Sequence, residues 1–439
     1  MTNDPSSPVL IDQSIEWLGA LPDSWTPCRV KDILRSDVYG ISNATESTGE
    51  IEVLGMGDIV EGKIVCPGKR FVDEVDSRLL LRKDDLLFNR TNSIALVGKV
   101  GLVERDILNV TFASYLVRLR LNRNHESRFW TYFLNSQQFG AWMRSHAIQT
   151  ANQANLSSYK LRQFEVFEVR EDEQKAIASY LDRETERIDR KVGLLEEKAL
   201  LYKELKQSLI NETVTRGLDL STPLRDSGVN WIGDIPEHWD VKRGKDIYQE
   251  VKTVSTTGEE DLLSVSEYTG VTPKQRDVET GENSSRAASL VGYRKCKEGD
   301  LITNIMLAWK RGLGVAPCDG IVSPAYAVYR HEKNTHPKFM HYLLRNDQTI
   351  WEFKRNSSGI IESRLRLYTD DFFAMEFAQP GFVEQKAIAE YLDGRTAKID
   401  QIVEAIAEHI RLLKELRKTL INDVVTGKVR VSETEGGAA

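Results

Sequence analysis

The ten residues EQKAIASYLD, beginning at Glu173, return almost unchanged as EQKAIAEYLD, beginning at Glu384. The match runs on without a gap from EQKAIASYLDRETERIDRKVGLLEEKALLYKELKQSLINETVT to EQKAIAEYLDGRTAKIDQIVEAIAEHIRLLKELRKTLINDVVT, at a constant offset of 211 residues and with about half the positions identical. A second repeat lies upstream of each copy. IEWLGALPDSW from Ile15 resembles VNWIGDIPEHW from Val229, so Trp17, Gly19, Pro22 and Trp25 match Trp231, Gly233, Pro236 and Trp239. Both segments are followed by KDI, at Lys31 and Lys245. A repeat of this length fixes the architecture before any local pattern does. The chain is two units, each running from a Trp-Gly-Pro-Trp segment to a long charged segment. Between these anchors the halves diverge, with weak echoes in RKDDLLFNR beside KEGDLITNI and ASYLVRLR beside PAYAVYR. The repeated parts are expected to do one job twice, and the divergent parts to do related jobs differently.

The long charged segment, from about Glu171 to Thr215, has no proline and is rich in helix formers. Leu181, Ile188, Leu195, Tyr202 and Leu209 recur every seven residues, with Val192 and Ala199 completing an a/d-type seam. The second copy repeats it with Leu392, Ile399, Ile406, Leu413 and Leu420, joined by Val403 and Ile410. Each copy reads as one helix of about 40 residues, hence ~60 Å long. A lone helix with such a seam needs a partner, and the other copy is the nearest candidate. The pattern predicts an antiparallel coiled coil and an internal pseudo-two-fold repeat. Gly193 and Gly394 interrupt good helix formers, and close helix approach is the role expected of them.

Each divergent globule has about 150 residues. Short β-rich runs such as IEVLGMGDIV, DLLFNR, YLVRLRL, DLITNI and AYAVYR alternate with Gly, Asn and Asp turn signals. Helical stretches follow near FWTYFLNSQQFGAWMRS and KFMHYLLRNDQTIWEFKR. The fold class is therefore α/β (α+β). The borders drawn from the sequence are a first globule over 1–168, a first repeated helix over 169–216, a second globule over 217–382, a second repeated helix over 383–430 and a tail over 431–439. In the first globule NRTNS follows an apolar strand, and QTANQANLSSYKLRQ comes later; in the second, IMLAWKRG and KRNSSGIIESRLRLY hold the same places. Asn, Gln, Arg, Lys and Ser are the side chains that read base edges and hold phosphates. Asn89, Arg90 and Asn92 in the first globule, and Lys310 and Arg311 in the second, are candidate DNA contacts on this ground.

The net charge of −7 argues mildly against a protein that coats nucleic acid, but phosphate contacts depend on where Lys and Arg sit. The four cysteines form no CxxC pair, so neither a zinc site nor a disulfide framework is indicated. No apolar run of about 18 residues occurs and no secretory signal is visible, so a cytoplasmic protein without membrane contact is expected. GDIVEGKI from Gly57 has the GxxxxGK spacing of a phosphate loop, but Ile64 stands where Ser or Thr would hold magnesium, and a turn between strands is the expected structure. The adenine-pocket tetrapeptide of amino-methyltransferases is missing, as are a glycine-rich cofactor loop and HExxH. No catalytic, cofactor-binding or metal-ligating residues are assigned. Two varied readers and two shared rods without a catalytic kit describe an adaptor that supplies specificity.

The segments SGVNWIGDIPEHW, EQKAIAEYLD, the helix ends LINETVT and LINDVVT, KDDLLFNR and SSGIIESRLRLY resemble the specificity subunit of type I restriction–modification systems, over nearly the whole length. The resemblance implies two target recognition domains, each reading one half of a split, asymmetric double-stranded DNA site. It implies that the repeated helices are a ruler between them and dock two modification subunits, which carry S-adenosylmethionine and methylate adenine. A restriction subunit with a motor and a nuclease would join the complex. This chain would hold no cofactor and catalyse nothing itself. In that family the loop resembling QANLSS tends to sit on the DNA side, which adds Gln153 and Asn155; the second globule departs from it with GIIESRLRLY, which adds Arg364 and Arg366. The alternatives are a coiled-coil scaffold that binds only proteins, and an enzyme with an unrecognised site.

Overall fold

The computed structural model describes residues 14–150, 153–274 and 289–431; most of the tail drawn over 431–439 lies outside them. Packing divides the chain into two compact units, Met1–Leu195 with Glu408–Ala439, and Glu196–Ala407. The division cuts through the long helices rather than at their ends, because each globule packs on the start of its own helix and the end of the other. The helices span Glu171–Arg216 and Phe382–Val425. Neither is long and apolar enough to cross a membrane.

In the first unit the central sheet has Leu116–Leu121 between Leu34–Tyr39 and Leu86–Asn89, and the last of these pairs onward with Val100–Leu102. In the second unit Tyr326–His331 lies between Tyr248–Glu250 and Leu301–Asn304, which pairs onward with Leu313–Val315. The echoes read from the sequence are thus neighbouring strands in both sheets. An acid locks each pair. Arg120 donates to both carboxylate oxygens of buried Asp85 at 2.6 and 3.0 Å, and Arg330 does the same to Asp300 at 3.0 and 2.8 Å. Short edge pairs close each globule on itself: Thr26–Arg29 with Glu165–Glu168, and Asp240–Arg243 with Glu376–Gln379. GDIVEGKI is a hairpin of Ile59–Val60 and Lys63–Ile64, with Glu61 and Gly62 at φ 49° and 83° in its two-residue turn.

Each expected helical stretch is two helices, Ser127–Leu134 with Gln137–Ser145, and Pro337–Leu344 with Asp347–Arg355. Both breaks hold a side chain that stitches helix to sheet. Asn135 Nδ2 donates to the Val100 carbonyl at 2.8 Å, and Arg345 Nη1 donates to that of Leu313 at 2.6 Å.

The repeated phrase EQKAIA faces its own globule. Glu173 accepts the indole N–H of Trp25 at 2.9 Å, and Glu384 that of Trp239 at 3.2 Å. Buried Gln174 accepts the amide of Glu126, which caps the helix Ser127–Leu134; buried Gln385 accepts that of His336, which caps Pro337–Leu344. Asp182 accepts Tyr132 and Arg128, while Asp393 accepts Tyr342 and Lys338. Ile177, Ala178 and Leu181, like Ile388, Ala389 and Leu392, lie in the cores. Glycines at the helix ends complete the joint. A Cβ on Gly427 (φ +74°) would stand 2.4 Å from the Pro22 ring and 3.3 Å from Trp25; one on Gly217 (φ +78°) would stand 3.0 Å from Glu384 and 3.4 Å from Trp239.

Within each unit the two helix segments run antiparallel. In the first, Ile188, Val192 and Leu413 form a buried cluster flanked by Leu195, Ile410 and Leu420. Asp189 pairs with Arg417 at 2.9 Å, while Leu181 shares a core with Val424 and Val425, so positions rise on one helix as they fall on the other. In the second, Lys206 donates to both oxygens of Asp400 at 2.7 Å, and Val214 shares a core with Leu392 and Ile388. Ile399 and Ile406 are buried, Val403, Tyr202 and Leu209 half-buried. Gly193 and Gly394 do not mark a close approach: a Cβ on either would meet nothing within 4 Å.

Candidate nucleic-acid interface

In both units one backbone hydrogen bond joins the two loops that the sequence singles out. The amide of Leu156 donates to the Arg90 carbonyl at 2.9 Å, and the amide of Leu367 donates to the Ile305 carbonyl at 2.9 Å. Beyond it each unit carries a hairpin. In the first unit Ile148–Gln149 pairs with Ala154–Asn155, and the latter pairs with Thr91–Asn92. Ala151 and Asn152 of the stretch QTANQANLSS lie outside the described residues. In the second unit Ser358 and Arg366 bond reciprocally, at 2.9 and 3.0 Å, around a 3₁₀ turn at Glu362–Arg364.

The candidate residues fall into three groups. Gln153, Lys310, Arg364 and Arg366 present exposed side chains. Arg90, Asn92 and Asn155 are half-buried and oriented by neighbours. The Arg90 guanidinium lies 5.1 Å from the Tyr39 ring centroid and donates to the Ser114 carbonyl, and Asn155 Nδ2 donates to Thr91 Oγ1 at 2.8 Å. Asn92 Oδ1 accepts the amide of Ser93 at 2.8 Å. The last two residues hold the frame. Asn89 is 1% exposed, and its amide donates to the Met56 carbonyl at 3.2 Å, so it supports the strand rather than the surface. Its apolar neighbours Leu87 and Phe88 show why: all four residues of this strand are buried. Arg311, in the left-handed region at φ 62°, donates to the Arg345 carbonyl and pairs with Asp347. It therefore shapes the loop that presents Lys310.

Aromatic residues missing from the candidates share these faces. Tyr39 accepts the Ser158 hydroxyl at 3.0 Å and so ties the sheet edge to the loop. In the second unit the Lys354 ammonium lies 5.3 Å from the Trp309 centroid and 5.7 Å from that of Trp351, and Lys310 lies 4.8 Å from Trp309. Trp351 is 70% exposed. The sequence did hold a signal for it, because Trp351 lies off the apolar stripe that Ile350 and Phe353 bury. Tyr39 had none, since 119 residues separate it from Ser158.

Known proteins place this architecture. Residues 22–197 match the family model described as the type I restriction modification DNA specificity domain. A protein of Methanocaldococcus jannaschii, named as the type I restriction enzyme MjaX specificity subunit, is 23% identical over 428 residues, covering 94% of this chain and 96% of that one. The fold matches a chain from a solved type I R-M system, described for its complex assembly and conformational transition, with a TM-score of 0.68, 16% identity and coverage of 93% and 99%. It also matches the HsdS subunit of Thermoanaerobacter tengcongensis, with a TM-score of 0.58, 16% identity and coverage of 93% and 98%. The matched stretch takes in the first globule and the start of the first long helix. Over residues 22–197 the chain is thus similar to the type I DNA specificity domain, and over nearly its whole length to a type I restriction enzyme specificity subunit.

Proposed function

We propose that each unit reads one half of a bipartite, asymmetric site on double-stranded DNA. One observation carries this reading: the same construction, a strand-end carbonyl bonded to the amide of Leu156 or Leu367, presents different side chains in the two units. A shared frame with different contact residues is what two unlike half-sites require. Arg90, Asn92, Gln153 and Asn155 would contact the first half-site, and Lys310, Arg364 and Arg366 the second. Asn89 and Arg311 would act by supporting them.

The long helices are the ruler in this proposal, an antiparallel coiled coil that fixes the spacer between half-sites. Their lengths, 46 and 44 residues, correspond to ~66–69 Å, more than the ~34–36 Å between successive half-sites on one face of B-DNA. The chemistry belongs to partners: two modification subunits with S-adenosylmethionine that methylate adenine, and a restriction subunit that cuts unmodified DNA. The repeated phrase is occupied by the chain's own globules, so the partner must bind another repeated surface. Leu201 and Leu205 in one unit, and Leu412 and Leu416 in the other, match at the 211-residue offset, and each is more than half exposed. A pair of leucines four residues apart on the solvent side of a helix, stated twice, suits two copies of one partner.

The test is anisotropy of labelled duplex DNA with this chain, with its neighbouring modification subunit, and with both. The assembled complex is expected to bind with a log affinity that falls linearly with log salt, because phosphate contacts release counterions. Absent or salt-insensitive binding would contradict the reading.

A further inference from the structure

Resting on that reading, we propose that the hairpin tip Ile360–Ile361 is an apolar wedge. It enters duplex DNA between adjacent base pairs and kinks it, so the second unit reads its half-site partly through the deformability of one step.

Ile360 is 100% exposed and Ile361 52%, at the tip of a loop that is closely held. The Ser358–Arg366 backbone pair closes it, and the amides of Arg364 and Leu365 bond back to the carbonyls of Ile361 and Glu362. A Cβ on Gly359 would stand 2.7 Å from the Arg364 carbonyl oxygen, so glycine is required for this close turn. Leu367, at the base, is buried and bonded to Ile305, and Lys354 pairs with Glu362 on the flank. Two branched aliphatic side chains are thus held out in water by a stiff frame, where they add nothing to the core. The surrounding charge selects the partner. Arg355 is paired with Glu352 and Lys354 with Glu362, whereas the exposed Arg364 and Arg366 have no side-chain partner among the described residues. An apolar tip on a hairpin that also carries two exposed arginines suits a surface that is anionic outside and apolar between its layers. Duplex DNA is such a surface. Architectural proteins insert Ile, Leu, Phe or Met between base steps and bend the helix by roughly 20–90°, and the energy of that bend depends on the step being opened. In the first unit the hairpin pairs Ile148 with Asn155. Its contact residues Gln153 and Asn155 are neutral, which fits hydrogen bonding to base edges rather than a charged rim around a wedge.

The experiment uses the complex with its modification subunits and a duplex carrying the methylated motif mapped for that complex. The duplex has dyes at its ends and 2-aminopurine at successive positions of the second half-site. Wild type is expected to shorten the dye distance and to raise the fluorescence at one step. The Ile360→Ala, Ile361→Ala double variant is expected to lose both signals and to bind roughly tenfold or more weakly, with an unchanged salt slope, since no phosphate contact is removed. An Arg364→Ala, Arg366→Ala variant is expected to lower that slope by about two. Bending and affinity like wild type in the isoleucine variant would overturn the wedge. So would a variant that fails to hold its modification subunit, which would make the tip a protein contact. A wild-type complex that ignores its own methylated motif would overturn the functional reading itself, which separates the two failures.

Discussion

Buried Asp85 accepts both nitrogens of the Arg120 fork and the amide of Arg82, with Arg118 beside it at 3.9 Å. Removing its charge strands two guanidiniums in a largely enclosed site, and breaking such a pair costs about 3–5 kcal/mol. Asp85→Asn should therefore lower the thermal midpoint sharply, and a loss below about 1 kcal/mol in denaturant titration would contradict the lock. His341 tests the second unit by pH. Its Nδ1 faces the amide of Val315, and burial, then the neighbouring Arg345, push its pKa down to about 4. The unfolded value is near 6.5, so the fold prefers the neutral ring. Stability should be full above about pH 6.5, fall as the pH drops below that and level off below about 4, with at most ~3 kcal/mol at stake. His341→Gln should flatten that part of a stability–pH curve; an unchanged curve would assign it to other groups. Gly193 and Gly394 carry the opposite expectation. Both are helical, exposed and open around Cβ, so Gly→Ala at either should stabilise by about 1 kcal/mol. A loss of stability at either would show that the helix there is strained or closely approached.

At the scale of elements, the long helices and the paired strands Leu86–Asn89 and Leu116–Leu121 were legible because periodicity and repetition are local signals. The role of EQKAIASYLD was not. Its partners Trp25 and Tyr132 lie 148 and 50 residues from Glu173 and Asp182, and only the fold brings them together. The closing strands Thr26–Arg29 and Asp240–Arg243 were invisible for the same reason, being short, polar and paired across more than 130 residues. Candidate DNA residues were read from loop composition, which names side chains but not their direction. Asn89 shows the limit, since the strand that carries it buries it. The helix surface yields its own prediction. Leu201→Asp with Leu205→Asp, or Leu412→Asp with Leu416→Asp, should leave the circular-dichroism helix signal intact, because these side chains face water. Native mass measurement should then count two modification subunits on wild type and one on either variant. Two on both variants would place the docking surface elsewhere.

At the scale of the whole molecule, the proposed reading is that one chain repeats a frame and varies what the frame presents. The repeated joints make two similar frames, and on the proposed reading the divergent hairpins would present different contact residues to two unlike half-sites. The direct measurement is long-read mapping of N6-methyladenine in a methylation-free host that expresses this chain with its neighbouring modification subunit, and each protein alone. The account predicts a split motif with two unlike halves and a fixed spacer, methylated only when both proteins are present. A continuous or palindromic motif, methylation by either protein alone, or no methylation from a soluble assembled complex would contradict it.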